Sequence, residues 1–137
     1  MLEVRALDRK EPAVRRGKLS GKVAVVTGAS SGVGRAIARA YAAEGAHVGL
    51  IARNSEALEK AAHEARELGG SALVLALDVS DAAAVDSAAQ RVVDEWGKID
   101  IWINDAMVSV FAKASEITSD EYERVMAVNY LGYVHGT

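Results

Sequence analysis

The stretch VTGASSGVG contains three glycines, Gly28, Gly32 and Gly34, where a short β-branched run gives way to helix-forming residues. Glycine is a poor helix former, but the absence of Cβ lets another group approach the backbone closely. The first turn of a helix also presents unpaired N–H groups and the positive end of the helix dipole, and both favour a phosphate. With the hydroxyls of Ser30 and Ser31 as further donors, this spacing predicts a site for the phosphates of a mononucleotide or dinucleotide. The alternative is a turn that uses glycine for its geometry alone.

Arg53 is the next residue whose position suggests chemistry, because it ends the predicted strand HVGLIAR, 47–53. In dinucleotide-binding folds an acidic residue at this point accepts hydrogen bonds from the ribose 2′-hydroxyl, whereas an arginine binds a 2′-phosphate through two N–H groups. The run Leu50–Asn54 has no carboxylate. NADP is therefore the predicted cofactor and NAD is less favoured; a solvated surface arginine is the alternative.

Asn129 is the polar residue of interest in the last predicted helix. Tyr122, Val125 and Met126 precede it by seven, four and three positions, so they share its face of the helix. An amide buried on such a face costs about 1–3 kcal/mol unless it is hydrogen-bonded. The residues alone leave open whether this amide is a satisfied core residue or part of a functional site.

The elements that must position these residues alternate between strand and helix from Leu19 onward. Apolar runs bounded by turn residues predict four strands, at 23–27, 47–53, 72–79 and 99–105. A stretch with helical periodicity follows each strand. The first of these helices has four residues on one predicted inward stripe, Val33, Ile37, Ala40 and Tyr41.

Capping residues mark where two of the later helices begin. Ser55 is the predicted N-cap of the second helix. Thr118 and Glu121 have the spacing of a capping box, and the helix that follows is predicted to run to the end of the chain.

The fold class predicted from these elements is α/β, because apolar strands that are each followed by a helix form a parallel sheet covered on both faces. The expected architecture is a doubly wound sheet with the strand order 3-2-1-4. In that order strands 1 and 4 flank the point where the winding reverses, and ligands bind in the crevice there. The prediction brings Gly28–Gly34 beside Asn104–Met107.

Composition limits the partners and the compartment. The chain has 137 residues, 50% of them hydrophobic, and its net charge of −3 gives no reason to expect nucleic acid or an anionic membrane as a partner. No apolar stretch reaches the roughly 18 residues of a membrane-spanning helix. The absence of cysteine is compatible with the cytoplasm, the predicted location. The histidines are scattered, so no metal site is predicted.

The segment 1–17 mixes basic and acidic residues and lacks the apolar core of a signal peptide. It is predicted to be a flexible N-terminal arm ahead of a domain over 18–137. An arm that contacts another subunit is the alternative.

The glycine stretch at 27–34 resembles the TGxxxGxG fingerprint of the short-chain dehydrogenase/reductase family, whose glycine spacing differs from the GxGxxG of other dinucleotide folds. The likeness extends from about Leu19 to Thr137 and includes LDVS, IDIWINDA at the fourth strand and VNYLG at 128–132. The resemblance implies that 18–137 is a truncated, Rossmann-like NAD(P)-binding domain, a partial doubly wound parallel sheet lacking the later strands and helices of the family.

The resemblance also implies roles for individual residues. Asp78 would approach the adenine and Val79 would line the same slot, although on the residues alone Asp78 is equally a turn residue ahead of the next helix. Asn104 and Ala106 would line the cofactor and tie neighbouring strands. Asn129 would be the Asn of the catalytic Asn-Ser-Tyr-Lys set, where it holds a water that relays protons to the active-site Lys. The expected cofactor-binding residues are thus Gly28, Ser30, Ser31, Gly32, Val33, Gly34, Arg53, Asp78, Val79, Asn104 and Ala106.

The fourth-strand motif departs from the family pattern Asn-Asn-Ala-Gly at two positions. Asp105 brings a charge where an amide is expected, and Met107 brings a side chain where the backbone is usually bare. We expect the pocket to be narrowed or reshaped near the ribose, although methionine is flexible enough to fold aside.

The other catalytic groups of the family are a Ser, a Tyr that acts as general acid or base, and a Lys four residues after that Tyr. None of the tyrosines in this sequence has a Lys at that spacing. The expectation is an NADP-dependent oxidoreductase that acts on a carbonyl or secondary alcohol, with these 137 residues inactive alone. The alternatives are a stand-alone NADP-binding or regulatory module without catalysis, and a structural remnant.

The fourth strand is expected to lie at an edge of the sheet, where the apolar residues 101–103 lose cover. Burying each such side chain is worth about 1.5–3 kcal/mol, and an open apolar edge pairs readily with another chain. The last helix carries three more apolar side chains near its end, Leu131, Tyr133 and Val134. Self-association through this edge and helix is therefore predicted, with a homo-oligomer as the form expected.

Overall fold

The computed structural model describes residues 17–137 and builds that part of the chain from alternating strands and helices. The strands are β1 (Val23–Thr27), β2 (His47–Ala52), β3 (Ser71–Ala76) and β4 (Ile101–Ile103). The helices are α1 (Gly32–Ala43), α2 (Ser55–Glu67), α3 (Ala82–Trp96), α4 (Ser119–Met126) and α5 (Gly132–His135). A 3₁₀ turn, Ala114–Glu116, precedes α4, and a π-helical turn, Ala127–Leu131, joins α4 to α5.

The strands form one parallel sheet in the order β3-β2-β1-β4, which confirms the predicted topology. β1 pairs with β2 along its whole length and with β4 from Ala24–Ile101 to Val26–Ile103. All five residues of β1 are buried, because a strand lies on each side and helices cover both faces. This central position accounts for its continuous apolar run.

Alternate side chains of β1 belong to two separate apolar layers. Ala24 and Val26 pack with residues of α1 and α2, whereas Val23 and Val25 pack with residues of α3 and with Val128 of the π-helical turn. The helical side of the first layer is mostly alanine, contributed by Ala38, Ala42, Ala61, Ala62 and Ala65. Small side chains allow these two helices to lie close to the sheet.

The buried face of α1 differs from the predicted stripe. Val33 is 65% exposed and Ala40 is also exposed, while the other two predicted residues are half-buried. The buried residues of α1 are Gly34, Ala38 and Ala42. The prediction was wrong because it ranked residues by hydrophobicity, whereas close packing against β1 selects small residues.

Three strands are shorter than predicted: β2 by one residue, and β3 and β4 by more. β3 ends at Ala76 because Asp78 turns the chain: its Oδ1 accepts hydrogen bonds from the N and Oγ of Ser80, at 3.0 and 2.7 Å. β4 covers only Ile101–Ile103, and its ladder with β1 ends at the pair Val26–Ile103. Asp105, two residues later, donates its N–H to a side chain instead of a strand.

The capping predictions had mixed outcomes. Asn54, not Ser55, is the N-cap of α2, because Asn54 Oδ1 accepts the N–H of Ala57 at 3.0 Å. The capping box is confirmed: Thr118 donates its N–H to Glu121 Oε2 at 2.8 Å, and Thr118 Oγ1 accepts the N–H of Glu121. The hydrogen bond from the backbone of Thr118 lowers the pKa of Glu121, and the hydroxyl adds to that effect.

The last helical segment is not one regular α-helix, because the π-helical turn interrupts it. Tyr122 and Met126 are 51% and 55% exposed, so the apolar face predicted around Asn129 is not a buried face in the part of the chain that the structure describes. Val128 is the residue buried instead, since the wider turn changes which side chain faces the sheet.

Within 17–137, no helix combines the length and the apolarity needed to cross a bilayer. The N-terminal arm predicted for 1–17 lies outside the described residues, apart from Gly17.

Candidate functional site

The turn between β1 and α1 leaves the amino end of α1 open. Gly28 and Gly32 both lie in the left-handed region, at φ +71° and +54°. A Cβ on Gly28 would lie 3.0 Å from backbone atoms of Ala106, whereas a Cβ on Gly32 would meet nothing within 4 Å. Ser31, the N-cap residue of α1, makes no side-chain hydrogen bond to the first turn within the described chain. Backbone N–H groups at this end are therefore available to a ligand.

A cavity of about 750 Å³ lies beside this turn, at the carboxyl edge of the sheet. Its walls come from the turn after β1, the ends of β2 and β3, the loop after β4, and the α4 region. It is the crevice that the strand order predicts between β1 and β4. The predicted site residues that line it are Gly28, Ser30, Ser31, Gly32, Val33, Arg53, Asp78, Val79 and Ala106.

Thr27 holds the ends of β1 and β4 together at the base of the cavity. Its Oγ1 accepts the N–H groups of Asp105 and Ala106, at 2.9 and 3.0 Å. Thr27 is only 2% exposed, and its buried hydroxyl supplies these two partly buried amides with an acceptor.

Gly34 lies behind the cavity wall and does not line it. A Cβ there would collide with the carbonyl oxygen of Gly28 and would lie 2.8 Å from Asp105 Oδ2. Gly34 thus permits the close contact between the turn and its own helix. The same contact brings the Asp105 carboxylate, which does line the cavity, to the amino end of α1.

Arg35 links the glycine turn to α2. Its guanidinium makes two hydrogen bonds to Glu64, at 2.6 and 3.1 Å, and a longer one to the carbonyl of Ser30 at 3.5 Å. The hydrogen bond from Arg35 lowers the pKa of Glu64. Through these hydrogen bonds, Arg35 connects the Ser30 part of the cavity wall to α2.

Arg53 is exposed at the rim of the cavity, directly after β2. The ion pairs that arginines make in the described residues involve Arg35, Arg39 and Arg124, and Arg53 takes no part in them. Its guanidinium is therefore free to contact an anion at the rim.

Asp78 follows β3 and forms an ion pair with Arg124, which also lines the cavity. Arg124 Nη2 lies 2.8 Å from Asp78 Oδ2, and Arg124 Nη1 donates to Ser80 Oγ at 3.1 Å. Partial burial works against the charged carboxylate, but the hydrogen bonds from Ser80 and Arg124 outweigh it and lower the pKa of Asp78. The carboxylate is thus held ionised in one orientation.

Asn104 does not line the cavity. Its Oδ1 accepts a hydrogen bond from Trp102 Nε1 at 2.9 Å, and its Nδ2 donates to the carbonyl of Tyr133 at 3.3 Å. A Cβ on Gly136 would collide with both of these side chains. In the structure Asn104 therefore fastens α5 to β4.

Asn129 also lies outside the cavity lining, in the π-helical turn. Its Oδ1 accepts the N–H of Val108 at 2.9 Å, and its Nδ2 donates to the carbonyl of Val108 at 2.8 Å. The amide thereby pairs with both polar groups of one peptide residue and holds the loop after β4.

Several lining residues escape sequence reasoning, above all Arg124, but also Ala52, Asn54, Leu77, Val108 and Val128. Asn54 could have been predicted as a lining residue, because it directly follows Arg53. Arg124 is 46 positions from Asp78 in the numbering, and no spacing rule links them. Among the described side chains, no group of three His, Cys, Asp or Glu could hold a metal ion.

A family model described as short chain dehydrogenase matches residues 22–137. A sorbitol dehydrogenase from Cereibacter sphaeroides is 43% identical over 115 residues, which are 84% of this chain and 44% of that protein. An NAD⁺-bound xylitol dehydrogenase has a TM-score of 0.83 and 39% identity, covering 87% of this chain and 46% of that one.

A third relative is the L-sorbose reductase of Gluconobacter frateurii, solved with NADPH and L-sorbose. Its TM-score is 0.80 and its identity 36%, covering 88% of this chain and 46% of that one. The chain thus spans less than half the length of these relatives. From the match over residues 22–137, the sheet order and the glycine turn, we conclude that the chain belongs to the short-chain dehydrogenase family.

Proposed function

We propose that this chain is the cofactor-binding portion of an NADP-dependent oxidoreductase. The observation that carries the proposal is the open amino end of α1, where Gly28 and Gly32 take left-handed conformations beside a cavity of about 750 Å³. Nothing lies within 4 Å of the position that a Cβ on Gly32 would take, which leaves room for a diphosphate.

The lining residues have the chemistry that such a cofactor needs. The N–H groups of the first turn of α1, with Ser30 and Ser31, would hold the diphosphate. Asp78 and Val79 would contact the adenine, and Arg53 a 2′-phosphate. When bound, the nicotinamide group supplies the hydride.

NADP is proposed over NAD because Arg53 lies exposed at the rim without an ion-pair partner among the described residues, and because β2 is not followed by a carboxylate there. An arginine pairs strongly with a phosphate, whereas a 2′-hydroxyl favours an acidic residue. The relatives include both an NAD⁺ complex and an NADPH complex, so family membership alone favours neither.

The proposed reaction is hydride transfer between the nicotinamide and a carbonyl or secondary alcohol, in the cytoplasm. The relatives named for sorbitol, xylitol and L-sorbose act on compounds of this chemical class, which supports the proposal. The reaction needs a general acid or base, and these residues hold no Tyr with a Lys four positions later. We therefore expect the 137 residues alone to bind the cofactor without turnover.

The second candidate function is a stand-alone NADP-binding or regulatory module. It is favoured by the same observation, because the cavity is built within residues 28–128 and needs no catalytic Tyr or Lys. Sequencing the gene beyond the codon for Thr137 separates the two functions. A Ser followed by Tyr-x-x-x-Lys supports the oxidoreductase, and a stop codon supports the module.

Direct titration tests the proposed cofactor. The folded chain, checked by circular dichroism, is titrated with NADPH and with NADH while the nicotinamide fluorescence is followed. We expect binding of NADPH well below millimolar concentration and weaker binding of NADH. If neither binds below millimolar concentration while the protein is folded, the proposal is wrong.

We also propose that the chain self-associates. β4 pairs on one side only within residues 17–137, and exposed apolar side chains lie nearby on the last helical segment. These are Tyr130, Leu131, Tyr133 and Val134. A second copy of the chain would cover both features.

A further inference from the structure

Arg124 makes a closed set of contacts that the proposed function does not use. Its guanidinium lines the cavity, yet it points to Asp78 Oδ2 at 2.8 Å and to Ser80 Oγ at 3.1 Å. Ser80 in turn donates its hydroxyl proton to Asp78 Oδ1 at 2.7 Å. The side chains of Arg124 and Asp78 are 36% and 33% exposed, so the pair is partly withdrawn from water. Such an arrangement fixes the rotamer of the carboxylate.

The carboxylate of Asp78 has one hydrogen-bond acceptor position that no described protein group fills. An ionised carboxylate offers about four lone-pair positions, two on each oxygen. Oδ1 accepts from both the N and the Oγ of Ser80, at 3.0 and 2.7 Å. Oδ2 accepts from Arg124. One acceptor position on Oδ2 therefore remains, on a residue that lines the cavity.

We propose that Arg124 is a positioning residue that holds Asp78 with its last acceptor position toward the cavity, where it selects a ligand bearing an N–H donor. This inference rests on the proposed function, because the ligand group concerned is the 6-amino group of adenine. It adds a residue from α4, which shares no sequence motif with Asp78, to the recognition of the base.

Arg124 acts through Asp78 and not as a ligand contact of its own, since its guanidinium binds two protein groups, the side chains of Asp78 and Ser80. Removing the guanidinium frees one carboxylate oxygen to turn or to bind water. The consequence is loss of discrimination between donor and acceptor groups on the base. Loss of affinity shared by all dinucleotides is not expected.

The test compares NADPH with its analogue in which hypoxanthine replaces adenine. The analogue carries a carbonyl oxygen in place of the 6-amino group, so it offers an acceptor where Asp78 needs a donor. The Kd of each ligand is measured by titration for the wild-type chain, Arg124→Met, Arg124→Lys, Asp78→Asn and the double variant Asp78→Asn/Arg124→Met. Arg91→Met, an exposed change on α3, is the matched control. Circular dichroism melting of each variant verifies folding.

We expect the wild-type chain to prefer NADPH by about tenfold, the scale of one hydrogen bond to a charged group. Arg124→Met and Asp78→Asn should each reduce this preference to about twofold or less, and the double variant should lose no more than either single one. Arg124→Lys keeps a positive charge beside Asp78 and should retain part of the preference for NADPH. This result supports the inference even if Arg124→Met fails to fold. The control should keep the full tenfold preference.

Three results would overturn the inference. If Arg124→Met, or Arg124→Lys where the former does not fold, weakens both ligands equally and keeps the full preference, Arg124 serves packing or contacts a part common to both ligands. If the wild-type chain binds both equally, Asp78 does not meet the amino group, but cofactor binding stands. If the wild-type chain binds neither, the proposed function fails together with this inference.

Discussion

Arg53 and Asp78 place opposite charges on the same cavity, one after β2 and one after β3. Arg124 neutralises Asp78, whereas Arg53 has no ion-pair partner among the described residues. The net effect is a positive rim at Arg53, which suits a ligand with an added phosphate. The Asp105 carboxylate opposes this effect from the amino end of α1.

Substitution of Arg53 by Asp should weaken NADPH binding by about tenfold or more, because an attractive contact with the 2′-phosphate becomes a repulsive one. NADH should change by no more than about twofold, since an acidic residue accepts a hydrogen bond from the 2′-hydroxyl. Titration of both nucleotides against Arg53→Asp and the exposed control Arg91→Asp measures the difference. Equal loss for the two nucleotides would remove Arg53 from the 2′-phosphate.

Single residues were predictable where the constraint is local. The glycine turn could be identified because positive φ and close backbone approach both require glycine within a few residues, as Gly28 and Gly32 show. Arg124 could not, because its partner Asp78 becomes a neighbour only after α4 crosses the end of β3. Asn104 was expected at the cofactor but bonds Trp102 and Tyr133, since its orientation depends on where α5 packs.

Among the elements, the short strand β4 depends on contacts beyond its own ladder. Asp100, the residue before β4, accepts the N–H of Val23 on Oδ2 at 2.8 Å and forms ion pairs with Lys22 and Lys98. The hydrogen bond from the backbone of Val23 is the main cause that lowers the pKa of Asp100, and Lys98 adds to it. One carboxylate thus anchors the beginnings of β1 and β4.

This lowered pKa predicts how stability depends on pH. A carboxyl group whose pKa is lower in the folded state stabilises the fold above its unfolded pKa, and that stabilisation is lost as the pH falls through the folded pKa. The free energy of unfolding should therefore decline below about pH 4. Asp100→Asn should be less stable than wild type at pH 7, and the difference should shrink by pH 3.

Urea denaturation at the two pH values measures this convergence. Asp86→Asn, an exposed change on α3, is the control and should leave the pH dependence as in wild type. A difference between wild type and Asp100→Asn that stays constant from pH 7 to pH 3 would contradict the assignment of the charge to this anchor.

Element type and order were predictable from apolar periodicity, but element boundaries were not. The ends of β3 and β4 are determined by side-chain contacts of Asp78 and Thr27, which no apolar pattern records. The π-helical turn at Ala127–Leu131 was likewise missed, because a stretch predicted as helix gives no sign of where one turn widens.

For the whole molecule, the two sheet edges are unlike. β3 and β4 both pair on one side only in the described chain, but β3 pairs over six residues and contacts α2, whereas β4 has only three residues. The exposed apolar residues of the last helical segment lie in the π-helical turn and in α5, which Asn104 ties to the end of β4. These features together favour association at the β4 side.

Sedimentation velocity at micromolar concentration should show the chain as a dimer or larger species. Charges placed on the exposed face by Tyr130→Glu and Val134→Glu should shift it toward a monomer, because like charges would meet across the contact. Leu68→Glu, a change at an exposed apolar residue after α2, is the matched control and should leave the distribution unchanged. A monodisperse wild-type monomer with a cooperative melt would contradict self-association.

The hydroxyl of Thr27 has a consequence for how this fold can diversify. The regular β1–β4 ladder ends at the pair Val26–Ile103. Beyond that pair, the single Oγ1 of Thr27 accepts the N–H groups of Asp105 and Ala106 and so holds the floor of the crevice. Met107 and Val108, which also line the crevice, follow directly after these two residues. Insertions or exchanges in this later loop can thus reshape what the crevice accepts, while its depth and the separation of its two central strands remain as they are.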